Sequence, residues 1–285
     1  MSIDVLLGDA PSASSDVADR VVIVIDVLRA ATSVAVALCN GASEVRPFLT
    51  VEETMFAAES LARSIGRSAL CLAGERHAVR ISGFDLGNSP LEMTRAIVEG
   101  KTMLFSTTNG TAALLATRGA TASYLASFVN CAATVRAALS TFVECANATG
   151  FTIVCAGHEG VLALEDVVCA GRLVRGLSAS RTVMPLSDRA RVAVAVEAPF
   201  VQSLAALATA ASHARTLSIG GFASDVEFCL TTDSVPVAVR FRGGALAIDD
   251  GATGQDAANE SREDMLHVGN VHNVAAPVIV AVGSR

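Results

Sequence analysis

The chain has 285 residues, of which 52% are hydrophobic and 17% are charged, enough apolar material for one large domain or two small ones. The formal net charge is -7 and the pI is near 5.2, so nucleic acid is not an expected partner, although a small anionic substrate needs only a few local arginines. No apolar run reaches the roughly 20 residues of a membrane span, and no signal-peptide pattern opens the chain. We therefore expect a cytoplasmic protein without a membrane partner, and the seven scattered cysteines predict reduced thiols.

Strand and helix patterns alternate along the first 180 residues. Short β-branched runs predict buried strands, and Ala-rich or capped segments predict helices between them. We predict strands at 21–25, 44–48, 69–72, 101–105, 122–128 and 151–155, and helices at 27–40, 50–65, 112–118, 130–147 and 162–177. Capping boxes at Thr50/Glu53 and Ser89/Glu92 mark two helix starts. This alternation predicts an α/β fold whose mainly parallel sheet is covered on both faces.

The pattern changes after residue 187. Helices are predicted at 188–197 and 199–217, a helical or turn-like segment at 222–229, and a small hairpin with strands at 235–240 and 245–248. The segment 188–217 is either a contact in a homo-oligomer or part of the core, and we favour the core. We divide the chain into a domain over 1–248, with a sub-division near 180–187, and an acidic, mobile tail over 249–285 in which 278–280 is either a last strand or an ordered end.

Two segments share an order of elements, namely strand, polar turn, Ala-rich helix, Gly-Ala and strand. They cover residues 21–45 and 102–123. Two explanations stand at this stage. One is an internal duplication, and the other is the chance similarity that Ala-rich helices produce.

Polar side chains follow most of the predicted strands at the point where each ends. Open α/β sheets bind ligands beyond the carboxyl ends of their strands, so these residues predict one pocket with carboxylates for a hard cation and arginines for anions. In chain order they are Asp26 and Arg29, Glu75 and Arg76, Thr107 to Thr111, Asn130, and His158 and Glu159.

The turn Ser106-Thr107-Thr108-Asn109-Gly110-Thr111 lies between a predicted strand and a predicted helix. Unpaired N–H groups at a helix start, hydroxyl groups and a glycine that lets a ligand approach are what a phosphate site needs. Ser, Thr and Asn also cap helices without binding anything. Both interpretations stay open on the turn alone.

Other positions also have structural alternatives. Asp26 can serve as an N-cap, Arg29 and Arg76 as surface ion-pair partners, and Asp85 and Asn88 as residues that shape their loop. His158 is as compatible with a loop residue as with a proton donor. Glu165 and Asp166 are consecutive on a helix and point about 100° apart, so at most one should face the pocket while the other favours the helix dipole. No P-loop motif occurs in the chain.

Several motifs, in their order and spacing, resemble the 2-phosphosulfolactate phosphatase (ComB) family. They are VIDVLRA at 24–30, AGER at 73–76, GFDLGNSP at 83–90, TTNGT at 107–111, and CAG at 155–157 followed by Glu165 and Asp166. The resemblance covers about residues 3–248, including Gly221-Phe222 and Asp225-Val226. Ala31 departs from the family, which often has Thr there, and the tail after Asp249 has no counterpart.

The resemblance implies a Mg²⁺-dependent phosphatase of three-layer α/β/α fold that converts (2R)-2-phospho-3-sulfolactate to 3-sulfolactate and phosphate, a step towards coenzyme M. The alternatives are a phosphatase for another phosphorylated hydroxy acid and a non-catalytic anion-binding protein. The family's motifs also place Asp85 at or near the site. We expect water to attack phosphorus directly, with a phosphoaspartate on Asp26 as the rival mechanism. The expected catalytic residues are Asp26, Arg29, Glu75 and Asn109; the substrate-binding residues are Arg29, Arg76, Asn88, Thr107, Thr108, Asn109, Gly110 and Thr111; and the Mg²⁺ ligands come from Asp26, Glu75, Glu165 and Asp166.

Overall fold

The structure is a computed structural model, and it describes residues 1–8, 16–107, 110–179 and 184–250. Within these ranges no helix is long and apolar enough to cross a bilayer. The predicted last strand at 278–280, nearly all of the tail, and part of the predicted sub-division near 180–187 lie outside the described residues, as do Thr108 and Asn109. All seven cysteines are described, and none is joined in a disulfide within the described residues.

The described residues form ten strands and ten α-helices, joined by short turns. The strands are β1 (Ser2–Leu7), β2 (Val21–Ile25), β3 (Glu44–Phe48), β4 (Leu70–Arg76), β5 (Val79–Arg80), β6 (Thr102–Ser106), β7 (Ala122–Ala126), β8 (Gly150–Cys155), β9 (Val239–Arg242) and β10 (Ala245–Ile248). The helices are α1 (Ala30–Cys39), α2 (Val51–Ile65), α3 (Arg95–Val98), α4 (Gly110–Leu115), α5 (Cys131–Glu144), α6 (Leu164–Ser178), α7 (Asp188–Glu197), α8 (Leu207–Ala210), α9 (Ser212–Leu217) and α10 (Ala223–Cys229).

One mixed sheet contains all the described strands, in the order β1-β8-β2-β7-β9-β10-β3-β6-β4-β5. β1, β8, β2 and β7 form one parallel group, and β3, β6 and β4 form a second. Helices cover both faces, so the predicted three-layer α/β/α fold with a mainly parallel sheet is confirmed. The predicted C-terminal hairpin exists as β9 and β10, but it lies in the middle of the sheet, where its residues Val239 and Leu246 are buried.

The hairpin reverses the direction of the sheet. Three successive antiparallel pairings separate the two parallel groups, so the second group runs opposite to the first. On a flat sheet, β2 and β6 would lie about 24 Å apart, since four strands separate them at about 4.8 Å per spacing. Yet the start of α4, which follows β6, reaches the end of β2. The sheet is therefore strongly curved, and this curvature brings together strand ends that leave it in opposite directions.

Helix α1 is the covering element at the centre of this curved sheet. Residues 30–38 are all buried, and the helix packs against β7, β10 and β3. Helices α5 and α6 cover the other face of the first group, and α2 covers the second. β2, with the sequence VVIVI, is buried along its whole length between these layers. Because β2 leads directly into α1, the residues between them are held on both sides by the core.

The sequence did not predict β1, and it joined helices that the structure separates. β1 pairs with only one full strand, β8, at the edge of the sheet, and Ser2 and Asp4 interrupt its apolar pattern. The predicted helix at 199–217 consists of the separate short helices α8 and α9, because the chain is extended at Ala211. The position of α9 is important for the candidate active site, because His213 on this helix lines its cavity.

The two predicted capping boxes differ in outcome. At Thr50 and Glu53 both reciprocal hydrogen bonds are present, which confirms the predicted start of α2. At Ser89 only one turn of 3₁₀-helix follows, and Glu92 accepts a hydrogen bond from Gly87 N at 2.7 Å rather than closing a box. Asn130 precedes α5, but its side chain binds Ser127 N, Leu125 O and Val237 O instead of capping the helix.

We predict that Gly74→Ala destabilises the protein by about 3 kcal/mol. Gly74 has φ of +154°, and a Cβ built there lies 2.2 Å from the carbonyl oxygen of Ser106 on the neighbouring strand. A methyl group must therefore push β4 away from β6. Urea unfolding monitored by circular dichroism measures the loss. Gly100→Ala is the control, because Gly100 also has a positive φ but nothing lies within 4 Å of a Cβ built there. A comparable loss of stability in this control would mean that the dihedral angle, and not the contact with Ser106, causes the destabilisation.

Candidate active site

A cavity of about 190 Å³ opens where β2, β4, β6 and β8 end. Its size suits a small metabolite. Ten of its thirteen described lining residues have polar side chains, although the core directly below it is apolar. The lining residues are Asp26, Leu28, Arg29, Glu75, His77, Ala78, Asn88, Thr107, His158, Glu159, His213, Thr216 and Leu217. The structure thus brings the polar ends of four strands into one site.

Asp26 lies at the floor of the cavity, directly after β2. Its side chain is buried, and its Oδ1 accepts a hydrogen bond from Ala30 N at 3.2 Å in the first turn of α1. Burial, with a smaller contribution from the charge of Glu75, raises the pKa of Asp26 to about 6, although His213 and the backbone N–H groups of Ala30 and Gly110 oppose the rise. The charged form of Asp26 is therefore unfavourable in the folded protein, and such perturbed groups are often functional.

Gly110 is a glycine because Asp26 is close to it. A Cβ at this position would lie 2.5 Å from Asp26 Oδ2, so no other residue fits without moving the carboxylate. The sequence suggested that Gly110 makes room for a ligand, whereas the structure shows that it makes room for Asp26. Beside it, Thr107 Oγ1 and Thr111 Oγ1 are 3.1 Å apart and share a hydrogen bond.

Arg29 is the only lysine or arginine among the lining residues that the structure describes, and it forms a buried ion pair. Its Nη1 donates to Asp225 Oδ2 at 2.6 Å, and its guanidinium lies 4.1 Å from the ring centroid of Phe222. Ser89 Oγ donates to the other oxygen of Asp225 at 2.7 Å. Asp225 thus fixes Arg29 and the GFDLGNSP loop together, a role that the sequence analysis did not assign to it.

Glu75 and Arg76 are adjacent in β4 but lie in different surroundings. Glu75 lines the cavity, and its Oε2 accepts from Ala78 N at 2.7 Å. Arg76 is not among the lining residues: its guanidinium donates to Glu75 O, Leu49 O and Ser106 Oγ. Arg76 therefore braces β4 in this structure, and its expected contact with substrate stays a prediction.

Asn88 and Asp85 belong to the same loop but have different roles. Asn88 lines the cavity, and its buried Oδ1 has no hydrogen-bond partner among the described residues. Asp85 lies away from the cavity wall, where it accepts from Arg67 and from Leu72 N. The structure therefore supports the loop-shaping alternative for Asp85 and leaves Asn88 with an oxygen available to a ligand.

Glu165 and Asp166 are both buried in the first turn of α6, and neither lines the cavity. Asp166 accepts from Val27 N at 2.9 Å and from Gly157 N at 3.1 Å, so it ties together the segments that follow β2 and β8. Burial, followed by the charges of Glu165 and Asp26, raises its pKa well above the usual range. Glu165 turns in another direction and contacts His213 Nδ1 with Oε1 at 3.1 Å.

Three histidines line the cavity, and the sequence analysis assigned a possible role to only one of them. His213 and His158 stack with their ring centroids 3.8 Å apart and their planes 16° apart. Burial and the neighbouring His213 lower the pKa of His158. His77 lies at the exposed rim, 4.0 Å from Glu159. His213 was missed because its partner Glu165 is 48 residues away in the chain, and the only sequence signal was the scarcity of histidine, with five in 285 residues.

The oxygen-rich wall suits a hard cation, although it does not enclose one. Among the described residues, no three His, Cys, Asp or Glu side chains are grouped so that they alone could hold a metal ion. Of the four carboxylates expected to bind Mg²⁺, only Asp26 and Glu75 line the cavity, together with the unpartnered Oδ1 of Asn88. Mg²⁺ commonly uses one or two carboxylates and completes its shell with water and substrate oxygens, so this donor set fits it.

Comparison with known proteins agrees with the geometry. A family model described as 2-phosphosulpholactate phosphatase matches residues 9–244. A relative from Caldanaerobacter subterraneus subsp. tengcongensis is 35% identical over 80% of this chain and 90% of its own length, and one from Symbiobacterium thermophilum is 37% identical over 82% and 97%. Both are named "Probable 2-phosphosulfolactate phosphatase", which denotes a phosphoric monoester hydrolase. The chain therefore belongs to the 2-phosphosulpholactate phosphatase family.

Proposed function

We propose that this protein is a Mg²⁺-dependent phosphatase that hydrolyses 2-phosphosulfolactate to 3-sulfolactate and phosphate. The observation that carries the proposal is the meeting of Asp26, Arg29, Glu75, Asn88 and Thr107 on the wall of one small cavity, from four separate segments of the chain. Each belongs to a motif of the family, and the cavity suits a small acid. The family match and the names of the relatives support the same activity.

The charge of the cavity supports the need for a cation. Among the described lining residues, Asp26, Glu75 and Glu159 contribute carboxylates, whereas the guanidinium of Arg29 is already paired with Asp225. A phosphate ester with further acidic groups would be repelled from such a wall unless positive charge is added. Asp26 and Glu75, with Oδ1 of Asn88, would hold Mg²⁺, which when bound supplies a Lewis acid for the phosphoryl oxygens.

The remaining residues position the phosphoryl group and the water. Arg29 is fixed by Asp225 and Phe222, so it offers its free N–H groups to the phosphoryl oxygens with little loss of freedom. The hydroxyl of Thr107 lies on the same wall. Asp26 orients the attacking water, as we infer from its position on the floor. A phosphoaspartate on Asp26 remains the rival, and single turnover in ¹⁸O-labelled water distinguishes the two: label that first enters the protein contradicts direct attack.

Substrate identity is the part of the proposal that the cavity supports least. Arg76, expected to bind the sulfonate or the carboxylate of the substrate, lies off the wall, and no second guanidinium is found among the described lining residues. This observation favours a second candidate, a phosphatase for a phosphorylated hydroxy acid without a sulfonate. A place in coenzyme M synthesis, a cytoplasmic location and a homo-oligomeric state stay predictions.

The decisive experiment is phosphate release from a panel of phosphorylated acids with Mg²⁺ and with EDTA. We expect release from 2-phosphosulfolactate that EDTA abolishes and Mg²⁺ restores. Preference for phospholactate or phosphoglycolate would keep the chemistry and change the substrate. Equal release in EDTA would contradict the proposed need for Mg²⁺. The absence of release from every compound would overturn the phosphatase and favour a non-catalytic anion-binding protein.

A further inference from the structure

His213 is held in the cavity wall by the fold of α9. Ala211, Ala214 and Leu217 are buried in the core and fix one side of this short helix. His213, Thr216 and Leu217, spaced three and four residues apart, line the cavity from the same helix. Arg215 donates to the carbonyl oxygens of residues 209 and 210, which fixes the junction with α8. The position of the imidazole is therefore determined by packing on both sides.

The ring of His213 is also fixed in orientation. Its Nδ1 lies 3.1 Å from Oε1 of Glu165, a carboxylate whose side chain is only 2% exposed. His158 stacks on the ring at 3.8 Å and restricts its plane. A buried carboxylate on Nδ1 holds a proton there and leaves Nε2 as the nitrogen available for proton transfer. The second oxygen of Glu165, Oε2, is buried and has no hydrogen-bond partner among the described residues. The contact with His213 is therefore the hydrogen bond that the structure shows for this carboxylate.

We propose that His213 is the general acid of the reaction, positioned by Glu165 and His158. This inference rests on the proposed phosphatase function and deepens it. A hydroxy acid leaves phosphorus as an alkoxide, which is a poor leaving group unless it is protonated. On the described wall, His213 combines an imidazole, which can donate a proton from nitrogen, with a fixed orientation and a buried carboxylate partner.

The proposed step is balanced as follows. The oxygen of water bonds to phosphorus, and the phosphorus–oxygen bond to the hydroxy acid breaks with its electron pair on the leaving oxygen. That oxygen takes the Nε2 proton of the His213 imidazolium, which becomes neutral. The surplus proton of the water passes to solvent, and solvent later returns a proton to His213. The products are the free hydroxy acid and inorganic phosphate.

The test compares substrates whose leaving groups need a proton to different extents. The three probes are 2-phospholactate, which leaves as an alkoxide; phosphoenolpyruvate, of nearly the same size, which leaves as an enolate; and acetyl phosphate, which leaves as a carboxylate and needs no proton. For His213→Gln we expect kcat/KM to fall about 10²- to 10⁴-fold on phospholactate, less on phosphoenolpyruvate and less than about tenfold on acetyl phosphate. A residue that only shapes the cavity would lower all three equally.

Two further variants separate a role in proton transfer from a general effect on the cavity. Glu165→Gln retains the size of the partner but not its charge. Its losses in kcat/KM should be smaller, but again largest on phospholactate and smallest on acetyl phosphate. Ser212→Ala is the matched control, because Ser212 is exposed on α9 and is not among the lining residues, and it should leave the ratio between the substrates unchanged. Equal losses on all three probes for both His213→Gln and Glu165→Gln would overturn the inference. A wild-type protein that releases no phosphate from these probes or from 2-phosphosulfolactate would overturn the proposed function, and this inference with it.

Discussion

Asp26→Asn should abolish phosphate release while leaving the fold intact. The asparagine has nearly the same shape and still accepts the hydrogen bond that Ala30 N donates to the side chain. It removes the negative charge of Asp26, which lies in the cavity wall beside Glu75 and Gly110. Loss of a group that holds the cation and orients the water should lower kcat by at least about 10³-fold, with near-native circular dichroism. Activity within about tenfold of wild type would show that Asp26 is not required for the reaction.

The same substitution should make the metal-free protein more stable at neutral pH. The pKa of Asp26 is about 6 in the folded protein against 3.8 in the unfolded chain. The folded state therefore binds more protons than the unfolded state between these values, and stability falls as pH rises through that window. Above pH 6 the penalty is on the order of 3 kcal/mol, since each pKa unit corresponds to about 1.4 kcal/mol.

Urea unfolding in EDTA at several pH values measures this effect. The variant should exceed wild type by up to about 3 kcal/mol above pH 6, and the two should converge below about pH 3, where the wild-type carboxyl is protonated in both states. Glu59→Gln, exposed in the middle of α2, is the control and should leave the stability at each pH unchanged. A variant that is less stable than wild type at pH 7.5 would show that the charge is compensated in the folded protein. A gain in stability with loss of activity is the trade-off expected of a functional carboxylate.

The sequence predicted most reliably those elements whose signals are local. The run VVIVI marked β2 with its observed bounds, and the Thr50/Glu53 box marked the start of α2, because both depend on neighbouring residues alone. The alternation of such elements was sufficient to predict the fold class. The edge strand β1 was missed because its pattern is short and interrupted by polar residues.

The site was predictable where motifs follow strands, and unpredictable where partners come from distant helices. Asp26, Glu75 and Thr107 follow or end buried strands, so their position could be expected from the sequence. Asp225 and His213 are on short helices after the domain's first 200 residues, and they act through Arg29 and Glu165. No local pattern indicates an ion pair between residues 196 positions apart. The central hairpin and the curvature of the sheet likewise depend on long-range packing.

Breaking the ion pair between Arg29 and Asp225 should cost more stability than removing both charges together. Both side chains are at most 5% exposed, so Arg29→Met leaves a buried carboxylate, and Asp225→Leu leaves a buried guanidinium. Each single change should lower the free energy of unfolding by about 3–5 kcal/mol, because a buried charge without a partner is strongly unfavourable. The double variant should lose clearly less than the sum, which urea unfolding measures as a coupling energy. The exposed pair Arg95 and Glu99 is the matched control, with an expected coupling of about 0.5 kcal/mol or less.

The ion pair should also matter for turnover, because it holds Arg29 against the cavity. Asp225→Asn keeps the shape of the side chain and an oxygen that can accept from Ser89, but it loses the charge that fixes the guanidinium. We expect kcat/KM to fall about 10- to 100-fold in this variant while the protein stays folded, because misplacement of a positioning group by about 1 Å can cost about 10²-fold. Additive losses in the double-variant cycle, together with unchanged kinetics in Asp225→Asn, would show that Arg29 needs no partner to reach the phosphoryl group. A large coupling energy together with reduced turnover would instead show that Asp225, on α10, both stabilises the fold and positions Arg29 for catalysis.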